Sequence, residues 1–162
     1  MMMQAPEIQK IEERIRTARA RLLAAVDALD TDAWEWRPAD GRWSVRLNLA
    51  HVGSAQHDHL RVARRLMAGK PVAFSDFELD AWNAESVAER SDWPLARVLE
   101  DLEDAQRQTC ALLDGLDTSD LEIEGQHPAL GTVTVGQVLR VIAVHDGMHR
   151  RDIQQLLREM KS

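Results

Sequence analysis

Apolar residues recur at steps of three and four along most of this sequence, which is the spacing of one face of an α-helix. The first such stripe predicts a helix that opens at Pro6 and gives way to turn-forming residues between Asp30 and Asp40. Its members are Ile8, Ile11, Ile15, Ala18, Leu22, Ala25 and Leu29. The arginines between them are expected on or near the solvated side: Arg14, Arg16, Arg19 and Arg21.

Three more long helices follow from capping and periodicity. Ser44 suits the N-cap of a second helix that runs to about Ala68, with a stop at Gly69-Lys70-Pro71. A short helix is predicted from Glu78 to about Arg90. A third long helix follows Asp92 and Pro94, with the stripe Leu95, Leu99, Leu102, Gln106, Thr109, Leu113 and Leu116. Thr134 and Gln137 form a capping box for the fourth, whose inner face is Val135, Val138, Leu139, Ile142, His145, His149, Ile153, Leu156 and Met160.

Four long amphipathic helices in 162 residues predict an all-α four-helix bundle in one domain, residues 1–162. The long connection between the second and third helices permits a crossover there. Strand signals are scarce, with one short β-branched run at 131–135.

Composition narrows the class of partner. The formal net charge is −7, from 20 basic and 27 acidic residues, which argues against general nucleic-acid binding, so no nucleic-acid partner is expected. No apolar run reaches the roughly 20 residues that span a bilayer, so no membrane partner is expected. The sequence opens without a secretion signal, and its one cysteine, Cys110, fits a reducing compartment. A cytoplasmic protein that acts on a small molecule is therefore expected.

The histidines carry most of the chemical information. His145 and His149 are four residues apart on the fourth helix, so their side chains project from nearly the same face. They occupy positions where leucine would complete the apolar stripe, and a charged imidazolium is costly there. Neutral imidazoles at this spacing can hold one cation, although hydrogen-bonded core histidines would give the same pattern.

The second helix offers a third ligand. His51 lies among small and apolar residues and is our choice, whereas His57 and His59 flank Asp58 in a polar run and are expected to be exposed. Asp152, three residues after His149, is a candidate to orient a ligand ring or to contact substrate. Asp58 could support a ligand or be solvated, and we favour the solvated interpretation. Asp146 could equally be a surface charge. His127 could approach the metal as an acid or base, but an exposed loop residue is the default interpretation.

Three neutral histidines with an open coordination position are typical of a catalytic site and not of a closed structural one. A divalent cation there can lower the pKa of a bound water to about 7 or deprotonate a bound thiol. Zinc, nickel and iron all accept imidazole, and the ligand set does not choose among them.

The same segments resemble a known family. The run from Trp43-Ser44 to His51 is similar to the second-helix motif of the DinB/YfiT-like superfamily, and the run from His145 to Ile153 is similar to its last helix. The resemblance implies a four-helix bundle with a long crossover between helices 2 and 3 and a divalent metal on the three histidines. It also implies a homodimer. Many relatives have glutamine where this chain has Asp152.

Relatives with known activity include thiol-dependent S-transferases, so we predict a metal-dependent transferase that acts with a low-molecular-weight thiol. One alternative is a metal-dependent hydrolase that uses a metal-bound hydroxide and needs no thiol. Another is a non-catalytic metal-binding, stress-associated protein, whose fourth coordination position would be closed. Cys110 has no neighbouring base and is expected to be a structural thiol.

Overall fold

The computed structural model describes residues 4–70, 72 and 78–162, so the predicted helix stop at Pro71 lies outside the described residues. Four long helices form a bundle: α1 (Pro6–Ala24), α3 (Val45–Met67), α5 (Leu95–Asp114) and α6 (Val135–Met160). Two short helices, α2 (Thr31–Glu35) and α4 (Leu79–Ala88), lie in the connections. A 3₁₀ turn at Thr118–Glu122 precedes the strands β1 (Glu124–His127) and β2 (Gly131–Thr134).

The helix starts follow from local hydrogen bonds. Ser44 accepts from the backbone N–H of Leu47 at 3.3 Å, and Thr134 and Gln137 form the reciprocal capping box expected from the sequence. The first helix ends earlier than its stripe implied, at Ala24. Asp30 then caps α2 inside the segment that we predicted as turns, because its carboxylate accepts from the backbone N–H of Ala33 at 2.9 Å.

The order of packing explains the crossover. α1 packs on α6, α6 on α3 and α3 on α5. One apolar cluster gathers the N-terminal halves of α1 and α6 with the C-terminal halves of α3 and α5, and a second cluster gathers the opposite ends. Neighbours α3 and α5 therefore run in the same direction, and the connection that holds α4 returns the chain along the bundle. The predicted four-helix bundle and its long crossover are confirmed.

A buried polar layer separates the two apolar clusters. Arg19 of α1 is 5% exposed and donates to the carboxylate of Asp146 on α6 at 2.8 Å, to the carbonyl of Leu102 at 2.9 Å and to the side-chain oxygen of Gln56 on α3. The Gln56 amide donates to the hydroxyl of Thr109 on α5 at 2.6 Å. Each long helix thus contributes one member to what we call the polar layer: Arg19, Gln56, Thr109 and Asp146.

Two expectations about these positions are wrong. Arg19 does not lie on the solvated side of α1, and Asp146 is not a surface charge, because the two charges meet inside the bundle and satisfy each other. The stripe of α5 is also shifted at two positions. Val98 and Ala105 face the core, whereas Leu99 is 36% exposed.

The strands form an antiparallel hairpin over the C-terminal half of α3, with His127 paired with Gly131 across the turn. Gly125 in β1 allows a close approach to α3, because a Cβ there would meet the side chain of Leu66, which would have to shift. Gly131 closes the turn at a positive φ of 74°. The hairpin therefore lies close enough to α3 to bring His127 next to His59, at a ring-centroid distance of 5.7 Å.

Among the described residues, no helix is long and apolar enough to cross a membrane.

Candidate metal centre

Three imidazoles from two helices meet inside the bundle. The Nε2 atom of His145 lies 3.1 Å from Nε2 of His51 and 3.2 Å from Nε2 of His149. All three candidate ligand atoms lie within 4.8 Å of one another. The sequence placed these residues on facing helices, and the structure brings all three together; that they hold a metal remains a proposal.

Asn48 fixes the tautomer of His149. The Asn48 amide nitrogen donates to the carbonyls of Trp43 at 3.3 Å and Ser44 at 3.0 Å, so its side-chain oxygen must point the other way. That oxygen lies 3.0 Å from Nδ1 of His149 and accepts its hydrogen. The lone pair of His149 is thereby left on Nε2, which faces the other two rings.

Asp152 lies farther from the His149 ring than Asn48 does. Its carboxylate lies 3.7 Å from Nδ1 of His149, and its side chain is 62% exposed. We expected Asp152 to orient a ligand ring, but the nearer and buried Asn48 does so for His149. The sequence signal for Asn48 was available, because it lies three residues before His51 and hence on nearly the same face of α3.

Packing against Trp43 supports the His51 ring. The Trp43 ring lies 5.0 Å from the His51 ring, centroid to centroid, at 43°. Nδ1 of His51 is buried and has no hydrogen-bond partner in the described part of the chain. Nε2 is consequently the nitrogen that His51 presents to the cluster.

Burial keeps all three rings neutral at pH 7. It lowers the pKa of His51 and His145 to about 3, with a further reduction from their imidazole neighbours, and it lowers the pKa of His149 to about 4. The positive charge of Arg19 also lowers the pKa of His145. Neutral rings are the form that binds a metal.

The donor set fits a divalent cation. Nitrogen ligands at roughly 2.0–2.1 Å from a tetrahedral zinc are about 3.3 Å apart, close to the 3.1 and 3.2 Å that separate Nε2 of His145 from Nε2 of His51 and of His149. The ligand atoms of all three residues lie within 4.8 Å of one another. Because Nδ1 of His149 is protonated, its Nε2 offers a lone pair to the cluster, and a divalent cation could accept the lone pairs of all three Nε2 atoms at once. His51, His145 and His149 are the only group of three or more potential ligands that the described residues bring together.

The cluster forms one wall of a cavity of about 610 Å³. The lining is mostly apolar and includes Trp43, Val141, Leu130 and Met148. Trp82 on α4 also lines the cavity, and its indole N–H donates to Asp58 on α3 at 3.0 Å. The short helix in the crossover therefore covers the site.

Three expectations about other polar residues are wrong. His59 and His127 are not exposed but line the cavity, and His127 is only 8% exposed. Asp58 is not simply solvated, because it holds Trp82. The sequence offered no direct sign of the His59–His127 contact, since the hairpin that creates it joins residues 68 positions apart. A fourth expectation, that His57 is exposed, is also wrong: His57 lies outside this cavity but is half-buried, because it pairs with Asp101 at 3.1 Å.

A protein-family model described as the DinB superfamily matches residues 14–153. A search of curated proteins finds no match. Several solved structures share the fold. DfsB, a sibling lethal factor precursor, has a TM-score of 0.79 at 16% identity, and the match covers 98% of this chain and 99% of that one. YfiT from Bacillus subtilis, described as a probable metal-dependent hydrolase with an unusual four-helix bundle topology, has a TM-score of 0.75 at 20% identity, with coverage of 99% and 92%.

A third structure corrects our view of partners. The colibactin self-resistance protein ClbS has a TM-score of 0.76 at 13% identity, and the match covers 93% of this chain and 95% of ClbS. ClbS was crystallised in complex with a dsDNA. Our expectation that this chain has no nucleic-acid partner is therefore wrong, because a protein of the same fold binds DNA. It rested on net charge, which averages over the surface, whereas one groove here is lined by Arg61, Arg64, Arg65 and Lys70.

Proposed function

Because the chain belongs to the DinB superfamily, we propose that it is a divalent-metal-dependent transferase that acts with a low-molecular-weight thiol. One observation carries the proposal. The Nε2 atoms of His51, His145 and His149 meet at the wall of a cavity large enough for a small molecule.

Each residue of the proposed centre has a distinct task. His51, His145 and His149 would hold zinc, nickel or iron through Nε2. A cation bound there stabilises a thiolate or lowers the pKa of a water. Asn48 orients His149 through the Nδ1 hydrogen bond, and Trp43 supports His51 by packing.

The cavity supports a reaction between two small molecules. Its apolar walls exclude water, which would otherwise compete with the thiol and weaken the interactions of charged groups. The histidine cluster lies on one side of the cavity, and α4 lines it with Trp82, Asn83 and Ser86, so an electrophile would lie between the histidine cluster and α4.

The direct test is turnover with a defined thiol and acceptor. Zinc-, nickel- and iron-loaded protein is mixed separately with glutathione, cysteine or coenzyme A and with 1-chloro-2,4-dinitrobenzene. We expect a metal-dependent rate with at least one thiol, lost in His145→Ala and retained in the matched variant His57→Ala. No metal-dependent rate with any of these thiols would contradict thiol transfer.

Hydrolysis is the second candidate, favoured by the description of YfiT as a probable metal-dependent hydrolase. It predicts cleavage of 4-nitrophenyl acetate without added thiol, at a rate whose pH profile follows the ionisation of water. Thiol-independent cleavage that also disappears in His145→Ala would favour this candidate over thiol transfer.

A non-catalytic metal-binding protein is a third possibility. That class predicts a fourth coordination position closed by the protein, whereas the three imidazoles here border a cavity. The homodimer implied by the family resemblance stays a prediction, and sedimentation equilibrium at micromolar concentration tests it.

A further inference from the structure

His127 has a fixed tautomer. Its Nδ1 atom accepts hydrogen bonds from the backbone N–H groups of Ala129 at 3.0 Å and Leu130 at 3.2 Å. Both partners are donors, so Nδ1 must carry its lone pair. The proton of the neutral ring is therefore on Nε2, at the edge of the ring that points away from the turn.

The ring is neutral and lies in the cavity wall. Burial lowers the pKa of His127 below its ordinary value, so the ring carries no charge at pH 7. His59 lies between His127 and the metal-binding cluster, 5.7 Å from the His127 ring and 6.3 Å from the His145 ring, centroid to centroid. A protonated Nε2 has no lone pair for a cation, so His127 is not a fourth ligand.

The surroundings leave this N–H for a ligand. No hydrogen bond joins Nε2 of His127 to another side chain or carbonyl in the described part of the chain, and the lining of the cavity is mostly apolar, with Pro128 and Leu130 close to His127 in the hairpin turn. A donor in an apolar wall gains most from an acceptor that arrives with the bound molecule. Arg61, which pairs with Asp58 at 2.8 Å, and Arg65 also line the cavity, but His127 itself is uncharged and does not offset the desolvation of a carboxylate. At the position of His127, a neutral carbonyl oxygen is therefore the better match.

We infer that His127 is a substrate-binding residue whose Nε2–H donates to the carbonyl oxygen of an apolar ketone, ester or amide in the cavity. The inference rests on the proposed function for the role of the cavity as substrate site and deepens it by naming the chemical class of the electrophile. The molecule would extend from the hairpin turn past His59 toward the histidine cluster.

Two matched probes test the inference. 2-Acetylnaphthalene and 2-ethylnaphthalene share an apolar body and differ by the carbonyl oxygen. Dissociation constants are measured by tryptophan fluorescence, with metal-free and zinc-loaded protein. We expect the wild-type chain to bind the ketone about three- to ten-fold more tightly than the hydrocarbon, as a single hydrogen bond provides. The preference should persist without metal.

The variant His127→Asn removes the Nε2–H donor but keeps the hydrogen bonds that hold the turn. Asparagine can still accept from the two backbone N–H groups through its side-chain oxygen, as in an Asx turn, but it offers no donor at the position of Nε2. We expect the preference for the ketone to disappear in His127→Asn and to return in part in His127→Gln, whose amide reaches further. His57→Asn, outside the cavity, should keep the full preference.

Several outcomes would overturn the inference: no preference in the wild-type chain, an unchanged preference in His127→Asn, or no binding of either probe. Nitrogen-15 NMR of the imidazoles is a second test that needs no variant. It should show His127 protonated at Nε2, and protonation at Nδ1 would refute the tautomer. If the protein binds no zinc but still prefers the ketone, the metal proposal fails and the assignment of His127 stands. Failure of one proposal can therefore be distinguished from failure of the other.

Discussion

His145 and Asp146 are neighbours on α6, yet they belong to two different buried polar groups. One group is hydrogen-bonded within the protein, and the other borders a cavity. Asp146 is part of the polar layer, in which Arg19, Gln56 and Thr109 meet one another's hydrogen-bonding needs. His145 belongs to the histidine cluster, in which its Nε2 atom lies 3.1 Å from Nε2 of His51 and 3.2 Å from Nε2 of His149. The polar layer is closed by protein on all four helices, whereas the histidine cluster borders a cavity.

The difference separates a structural polar group from a functional one. Buried polar atoms are normally satisfied within the protein, and the polar layer follows that rule. In the histidine cluster, Nδ1 of His51 has no hydrogen-bond partner among the described residues, and the three Nε2 atoms meet where a guest can enter, which favours the binding of a cation. Damage to the polar layer should therefore reduce folding stability, and damage to the histidine cluster should reduce metal binding.

The largest expected effect is on stability, in Arg19→Met. The change leaves the Asp146 carboxylate buried without its partner, and loss of one member of a buried pair costs about 3–5 kcal/mol of the free energy of unfolding. Urea denaturation measures this cost, with Arg14→Met on the exposed face of α1 as the matched control. A cost below about 1 kcal/mol, the range of exposed ion pairs, would show that the polar layer does not hold the bundle together.

The next effect is on metal affinity, in Asn48→Ala. The substitution removes the acceptor that keeps the Nδ1 hydrogen of His149 in place, and loss of such a partner typically weakens metal binding by about 10- to 100-fold. Competition with a zinc-chelating dye measures the change. Asp152→Ala is the comparison and should have a much smaller effect, since that carboxylate is largely exposed. The reverse ranking would restore Asp152 as the orienting residue.

Acidification should lower the folding stability of the metal-free protein, because the histidines of the cluster resist protonation in the folded state. The folded-state pKa values of His51, His145 and His149 lie below the ordinary value of 6.5, so the unfolded chain binds more protons between about pH 6.5 and 4. Stability is fully present above pH 6.5 and falls as the pH drops through that window. One unit below 6.5 the loss is about 1.4 kcal/mol for each histidine.

Single variants check the sign of this pH dependence. Denaturation at pH 7.5 and 5.5 should show a smaller acid loss in His145→Gln than in the wild-type chain. His57 provides the opposite case, because Asp101 raises its pKa and its contribution is present below pH 6.5 and lost at higher pH. His57→Gln should therefore lose more stability on acidification, and equal slopes in all three proteins would contradict the assigned pKa directions.

The smallest effect is expected in Cys110→Ala. Cys110 is half-buried on α5, burial raises the pKa of its thiol, and it does not line the cavity. Metal affinity and thiol-transfer rate should both stay within about two-fold of the wild-type values, the scatter expected of a residue with no role in either. A large loss of transfer rate with normal metal binding would instead identify Cys110 as a participant.

The sequence predicted the elements that depend on local signals. Ser44, Thr134 and Gln137 cap their helices as expected, and the spacing of His145 and His149 anticipated their shared face. His51 was recognised because it occupies a small-residue face of α3. Periodicity and capping act within a few residues, so a single sequence contains them.

What the sequence missed depends on contacts between distant elements. The sequence pattern predicted Arg19 as a surface residue, because its partner Asp146 lies 127 residues away in the sequence. His127 looked like a loop residue because only the hairpin packing on α3 buries it. Net charge likewise carried no information about the local groove of basic residues.

The claim that three imidazoles hold one cation is tested most directly by zinc titration of untagged, metal-free protein. The wild-type chain and His57→Ala should each bind one equivalent of zinc with the same affinity. His145→Ala should bind more weakly by more than the roughly 100-fold that marks the upper range for an outer partner. Equal zinc affinity in all three proteins, or none in the wild-type chain, would contradict the proposed metal centre.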